Sequence, residues 1–117
     1  KNIYKIPLNL LFFLISVIKS FLYIKLNNID KIISTGGYMT SPICIASLFT
    51  KSKLYLFEPN MVLGRTNSFF LKKCKKIFCY SNNIRKFPTK YSNKIKIIYP
   101  VFNKKSYLLK NDVKKKI

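Results

Sequence analysis

Two adjacent glycines, Gly36 and Gly37, follow an apolar, β-branched run and precede a predicted helix. Because glycine has no Cβ atom, it tolerates a positive φ and lets a ligand come close to the backbone. Ser41 is placed to cap the helix, and Pro42 suits its first position. A strand, a glycine turn and a helix N-terminus together favour phosphate binding. The same residues also suit an ordinary tight turn.

A second polar cluster follows the next apolar run, at 53–57. Glu58 and Asn60 stand where this run ends, and Gly64 and Asn67 come shortly after. Ligands of open parallel sheets bind outside the carboxyl ends of the strands. We therefore expect both clusters to line one crevice.

Apolar runs and helical patterns alternate along the chain, and no internal repeat is present. The predicted elements are a helix at 6–25, strands at 29–35, 53–58, 76–80 and 94–98, and helices at about 41–50 and 64–75. Strands separated by helices of this length predict an α/β fold with a Rossmann-like parallel sheet. We expect one partial domain at 1–103, followed by a basic linker or frayed end at 104–117.

The formal net charge is +20, from 23 Lys and Arg against 3 Asp and Glu. Such a charge favours anionic partners, although a coding bias toward Lys, Asn and Ile produces the same composition. Nucleic acid is the less favoured partner, because the lysines are scattered and no zinc-ligand spacing occurs. Cys44, Cys74 and Cys79 are odd in number and the chain has no histidine. We expect buried thiols in a reducing compartment, with no metal site and no cofactor.

The apolar stretch at 6–25 is interrupted by Asn9 and Lys19. A bilayer span needs roughly twenty apolar residues, so the sequence favours a helix lying at the membrane surface. One face is expected to pack on the sheet and the other to meet an anionic headgroup layer. The expected membrane-facing residues are Phe12, Phe13, Lys19, Phe21 and Lys25. A fully buried helix without a membrane role is the alternative.

The glycine and Glu58 clusters together resemble the N-terminal domain of the MurG family of N-acetylglucosaminyltransferases. That family has Gly-Gly-Tyr-x-x-x-Pro, then Glu-Gln-Asn, three residues, and Gly-x-x-Asn. This chain has Gly-Gly-Tyr-Met-Thr-Ser-Pro from Gly36, Glu-Pro-Asn from Glu58, and Gly-Arg-Thr-Asn from Gly64, at the same spacing. The resemblance spans about residues 5–102.

The resemblance implies part of the N-terminal domain of a two-domain GT-B glycosyltransferase. Its expected donor is UDP-GlcNAc, and its expected acceptor is a muramoyl-peptide on a polyprenyl diphosphate (lipid I, converted to lipid II in peptidoglycan synthesis). The expected location is the cytoplasmic face of the bacterial inner membrane, as a peripheral protein. A C-terminal domain that binds the donor is expected as the missing partner, and the fragment alone is expected to be inactive.

The resemblance also implies residue roles, although it assigns no catalytic residue. The acceptor diphosphate loop comprises Gly36, Gly37, Tyr38, Thr40 and Ser41. Asn60 corresponds to the family asparagine at the donor sugar, and Glu58, Gly64 and Asn67 support these loops. Tyr38 acts either by packing or through its hydroxyl, and Glu58 either holds its loop or touches substrate.

Three positions depart from the family pattern. Phe57 replaces a histidine, Pro59 replaces a glutamine, and Tyr-Pro-Val-Phe at 99–102 replaces Asn-Pro-x-Arg. A phenylalanine cannot replace the charge-assisted contact of that arginine. One alternative is therefore a non-catalytic membrane-anchoring half of a split or degenerate glycosyltransferase. A second, which rests on the positive charge, is a basic nucleic-acid-binding module.

Overall fold

The computed structural model of the protein describes residue 3 and residues 5–99. Within these residues, four parallel strands form a sheet. The strands are β1 (Lys31–Ser34), β2 (Lys53–Glu58), β3 (Lys76–Cys79) and β4 (Ile95–Ile97). Each strand pairs with the next along the chain, in the order β1-β2-β3-β4. The predicted α/β fold with a parallel sheet is confirmed. The boundary predicted after residue 103 and the segment 104–117 lie outside the described residues.

In the part of the chain that the structure describes, three α-helices accompany the sheet: α1 (Lys5–Leu26), α2 (Ser41–Leu48) and α3 (Arg65–Phe70). The sequence predicts that α1 packs on the sheet, but its main contact is with α2. Val17, Phe21 and Ile24 lie on one side of α1, at the spacing of an apolar helix face, and pack against the buried core. The other side of α1 is therefore not covered by the described residues.

Helix α3 ends at Phe70, five residues earlier than the sequence predicts. The N–H groups of Lys73 and Cys74 both donate to the carbonyl of Phe70, so the chain tightens into a turn. The Lys94 ammonium then donates to the carbonyls of Leu71, Lys72 and Cys74, each at 2.8 Å. A lysine from a distant segment thus satisfies carbonyls that a longer helix would have paired internally.

The core lies on the helix-covered face of the sheet. Burial alternates along β2, where Leu54, Leu56 and Glu58 are buried. The three cysteines at 44, 74 and 79 are also buried and carry free thiols. Burial raises the pKa of each thiol, and burial together with the nearby Glu58 carboxylate raises the pKa of Cys79 to about 11. These thiols therefore stay protonated near neutral pH and act as small apolar side chains.

Candidate active-site crevice

The polar clusters after β1 and β2 lie side by side at the carboxyl edge of the sheet. The register pairs Ser34 of β1 with Leu56 of β2, so the two strands end close together. The glycine turn follows β1 directly, and Glu58 is the last residue of β2. The structure thus brings the two predicted loops to the same edge of the sheet, where a crevice is expected.

The glycine turn needs both of its glycines. Gly36 has φ +81°, and Gly37 has φ +86° with ψ 159°, a backbone region that is open almost only to glycine. An added Cβ at Gly37 would meet no atom within 4 Å, so this side of the turn is open to a ligand. The positive φ expected from the sequence is present at both glycines, and close approach of a ligand to this turn stays a prediction.

A relay of hydroxyls closes the turn. The Ser34 hydroxyl donates to Thr40 Oγ1 at 3.0 Å, and the Thr40 hydroxyl donates to the carbonyl of Gly37, also at 3.0 Å. The backbone N–H of Gly36 donates to Ser34 Oγ at 3.2 Å. Sequence reasoning missed Ser34, although a serine at the end of a strand, six residues before a threonine, is a usable signal for such a relay.

Ser41 does not cap α2, contrary to the sequence-based expectation. A single 3₁₀ turn, Tyr38–Thr40, runs directly into α2, so the residue before the helix is Thr40 in an αR conformation. Its side chain makes no capping bond, because the Thr40 hydroxyl is directed back to Gly37. Pro42 does stand at the start of the helix, as predicted.

Glu58 is the centre of the second cluster. Its carboxylate belongs to a side chain that is only 2% exposed. One oxygen, Oε2, accepts from the backbone N–H of Gly64 at 2.8 Å and from Asn67 Nδ2 at 2.9 Å. The other, Oε1, accepts from the backbone N–H and Nδ2 of Asn60, at 3.2 and 3.1 Å. Four donors offset the cost of burying the carboxylate, and this geometry favours the loop-holding role over substrate contact.

Gly64 is favoured by close packing rather than by backbone conformation. Its φ is −68°, which any residue adopts, but an added Cβ would lie 3.2 Å from Glu58 Oε2. The resemblance implies only that Gly64 supports its loop. In the structure it precedes α3 and brings its N–H directly onto the carboxylate.

Asn67 joins the Glu58 cluster to the glycine turn. Its side chain is 1% exposed, and Nδ2 donates both to Glu58 and to the carbonyl of Phe57, the latter at 3.1 Å. Its Oδ1 is buried and has no hydrogen-bond partner among residues 5–99. A Cβ at Gly36 would lie 3.0 Å from this oxygen. Gly36 is therefore needed because the Asn67 amide fills the space beneath it.

The Asn60 loop has a second attachment. The N–H of Leu63 donates to the carbonyl of Arg85, and the N–H of Arg85 donates to the carbonyl of Met61. Asn60 itself is exposed, although Glu58 holds its backbone and side chain. Its amide is thus fixed at the edge of the crevice, where it can meet a ligand.

Tyr38 connects the glycine turn to α1. Its ring centroid lies 6.0 Å from that of Phe13, and the residue is 70% exposed. This contact favours the packing role for the tyrosine.

The outward side of α1 is apolar and exposed. It carries Leu8, Leu11, Phe12, Ile15, Ile18 and Leu22, each at least 38% exposed. Lys19 and Lys25 are exposed on the same helix. We call this set, with the two lysines, the outer face of α1. Phe13 and Phe21 differ from expectation, since both are half-buried and Phe21 packs against the core.

By length and composition alone, α1 could cross a membrane. From Phe13 onward its inward side is partly covered by α2 and the core, whereas every residue from Lys5 to Phe12 is exposed. This arrangement is typical of a helix lying in the membrane surface. Within residue 3 and residues 5–99, no three His, Cys, Asp or Glu side chains come together as metal ligands would.

Replacing Glu58 with glutamine tests the role of its carboxylate. Glu58→Gln puts an amide N–H₂ group against N–H donors, so we expect a loss of about 1–3 kcal/mol in the free energy of unfolding. Urea denaturation of the full-length protein measures this loss. Hydrogen exchange at the Gly64 amide should accelerate as well, because that N–H loses its acceptor.

Asp30→Asn is the matched control, since it makes the same charge change at an exposed carboxylate. We expect it to leave the stability within about 0.5 kcal/mol of the wild type. Equal stability losses in the two variants, with unchanged exchange at Gly64, would show that the carboxylate does not hold the loop.

Comparison with known proteins extends these observations. The profile of the glycosyltransferase family 28 N-terminal domain matches residues 1–79. A Pelagibacter ubique protein is 51% identical over 117 residues, which are the whole of this chain and 33% of that protein. A Psychrobacter cryohalolentis protein is 37% identical over 73 residues, covering 62% of this chain and 19% of the relative. Both are named UDP-N-acetylglucosamine--N-acetylmuramyl-(pentapeptide) pyrophosphoryl-undecaprenol N-acetylglucosamine transferase.

The crystal structure of Acinetobacter baumannii MurG has a similar fold. The TM-score is 0.65 at 22% identity, and the match covers 77% of this chain and 25% of that one. This chain spans about a third or less of the length of these relatives. Since the family profile covers residues 1–79 out of 117, the chain belongs to glycosyltransferase family 28 and carries the sequence of its N-terminal domain.

Proposed function

We propose that the protein containing this chain transfers N-acetylglucosamine from UDP-GlcNAc to a muramoyl-peptide on a polyprenyl diphosphate. The observation that carries this proposal is the crevice in which Glu58 and Asn67 hold the Asn60 loop against the glycine turn. The names of the relatives support the reaction. They do not favour a non-catalytic anchoring half.

The glycine turn receives the acceptor diphosphate in this proposal. The Gly37 side of the turn is open, and the turn leads through a 3₁₀ turn into the N-terminus of α2. Backbone N–H groups and a helix N-terminus suit an anion there. Thr40 and Ser41 lie on the same segment, and the Thr40 hydroxyl holds the turn in shape.

Asn60 contacts the donor sugar in this proposal. An amide has two N–H donors and a carbonyl acceptor, and Glu58 takes one of the donors. The rest of the amide can pair with sugar hydroxyls. A separate C-terminal domain binds the uridine nucleotide in this proposal. Closure of the two domains then brings donor and acceptor together.

In this proposal the outer face of α1 contacts the cytoplasmic side of the bacterial inner membrane. Its apolar side chains enter the headgroup boundary, and Lys19 and Lys25 attract anionic lipid. The charge of +20 strengthens this attraction. The protein thereby meets its lipid-linked acceptor at the surface of the membrane that holds the acceptor.

Gly37→Ala in the full-length protein tests the proposed reaction. The new methyl group would enter the open space where the diphosphate binds, and the positive φ would be strained. We expect the acceptor KM to rise at least about tenfold, or ~1.4 kcal/mol, while UDP-GlcNAc affinity stays within about twofold. Residues 1–117 alone should show no transfer, because the proposed C-terminal domain that binds the uridine nucleotide is not part of them.

Asn28→Ala is the control, because Asn28 also has a positive φ and lies beyond the end of α1. It should leave both substrates unaffected. If Gly37→Ala weakens donor and acceptor binding in proportion to a loss of stability, the turn has only a structural role. Absence of any transfer by the wild-type full-length protein would contradict the proposed reaction itself.

The membrane role is tested with the double variant Leu11→Ser and Leu22→Ser on the outer face of α1. We expect at least about tenfold weaker binding to anionic vesicles at any salt concentration, because two exposed apolar side chains are lost. High salt alone should weaken wild-type binding only partly. Vesicle sedimentation measures both effects.

Phe49→Ser, at an exposed position outside α1, is the matched control and should bind like the wild type. Retention of the wild-type protein in membranes after carbonate washing would indicate a true span. Tighter binding to oligonucleotides than to vesicles at the same salt would favour the nucleic-acid alternative.

A further inference from the structure

A groove of about 550 Å³ lies between α1 and the segment that follows the glycine turn. Its apolar and aromatic walls are Phe12 and Phe13 from α1, and Tyr38, Met39, Pro42 and Ile43 from the opposite side; the polar residues Asn9, Ser16 and Ser20 of α1 complete the lining. The volume is within the range of sites that hold small molecules. None of these residues belongs to the Glu58 network, so the groove is separate from the donor side of the crevice.

The apolar and aromatic part of the lining suits a hydrocarbon. Two aromatic rings, Phe13 and Tyr38, lie 6.0 Å apart at a tilt of 33°. Met39 is 86% exposed, and its unbranched side chain can adapt to an irregular ligand. Ser16 also borders the groove, but its hydroxyl donates to the carbonyl of Phe12 at 2.9 Å. That polar group is thereby satisfied within its own helix.

The groove connects two surfaces that the proposed function already uses. Tyr38 and Met39 follow Gly37 directly, so the groove begins where the diphosphate would bind. Phe12 lines the groove and also belongs to the outer face of α1, so the groove leads toward the membrane. In a polyprenyl diphosphate the first isoprene unit is bonded directly to the phosphate. A chain leaving the glycine turn therefore meets this groove before it reaches lipid.

We infer that this groove binds the first isoprene units of the acceptor. The inference rests on the proposed function and adds a specificity element to it. The groove selects acceptors with a hydrocarbon next to the diphosphate, and it guides that chain from the glycine turn to the membrane. A phospholipid acyl chain fits the location less well, because its phosphate is separated from the hydrocarbon by glycerol and an ester.

The test uses the full-length protein and water-soluble acceptors in the absence of membrane. The acceptors carry the same muramoyl-peptide diphosphate, with either a ten-carbon prenyl chain or a methyl group. The wild type should have a KM at least tenfold lower for the prenyl acceptor. Met39→Ser should reduce this preference at least fivefold and leave the KM for the methyl acceptor and for UDP-GlcNAc unchanged. Because Met39 is exposed, its replacement should leave the melting temperature unchanged.

Phe12→Ser provides a second variant on the opposite wall and should reduce the prenyl preference in the same way. Leu22→Ser is the matched control, because it lies on the outer face of α1 and does not line the groove. It should weaken vesicle binding and keep the full prenyl preference.

Three results would overturn the inference. The first is a wild type with no preference for the prenyl acceptor, and the second is an unchanged preference in both groove variants. The third is weaker vesicle binding in both groove variants with no change in their KM values for either acceptor. That result would assign the groove to phospholipid. Failure of the wild type to use either acceptor would contradict the proposed function instead, so the two failures are distinguishable.

Discussion

The candidate crevice depends on one buried carboxylate. Glu58 ends β2 and accepts hydrogen bonds from the backbone of Asn60 and Gly64 and from the side chains of Asn60 and Asn67. A buried charge without donors would be strongly unfavourable, so the loop must close around it. Asn67, held in this way, fills the space under Gly36. The loop after β2 and the turn after β1 are therefore fixed by a single network.

Helix α1 contacts the segment that follows the glycine turn, through Phe13 and Tyr38. Its inward residues pack against α2 and the core. Because α2 begins shortly after the glycine turn, this packing also fixes α1 relative to that turn. Its outer face remains apolar and basic, while Phe12 and Phe13 form one wall of the groove beside Tyr38. In the proposed function, one helix thus links membrane contact, the inferred hydrocarbon groove and the proposed diphosphate turn. On that proposal, lipid covers the apolar side of α1 that the described residues leave exposed.

Much of the fold could be predicted from the sequence, because β-branched runs and glycine punctuation are local signals. The bounds of β2 agree with the prediction, and the two polar clusters do meet at one edge. The rest depends on contacts between distant residues. Lys94 pairs with carbonyls after α3, and the Thr40 hydroxyl turns back to Gly37 instead of leaving Ser41 to cap α2. Phe13 and Phe21 face inward because of their helical phase relative to α2, which composition does not reveal.

The coupling between the two loops is tested most directly by a double-mutant cycle of Gly36→Ala and Asn67→Ala, measured as free energy of unfolding. The Cβ added by Gly36→Ala would crowd Asn67 Oδ1, and removing the amide relieves that contact but not the strain of the positive φ. The account predicts that Gly36→Ala is less destabilising in the Asn67→Ala background, by about 0.5–3 kcal/mol. Additive effects, within about 0.3–0.5 kcal/mol, would contradict the claim that one buried network holds both loops.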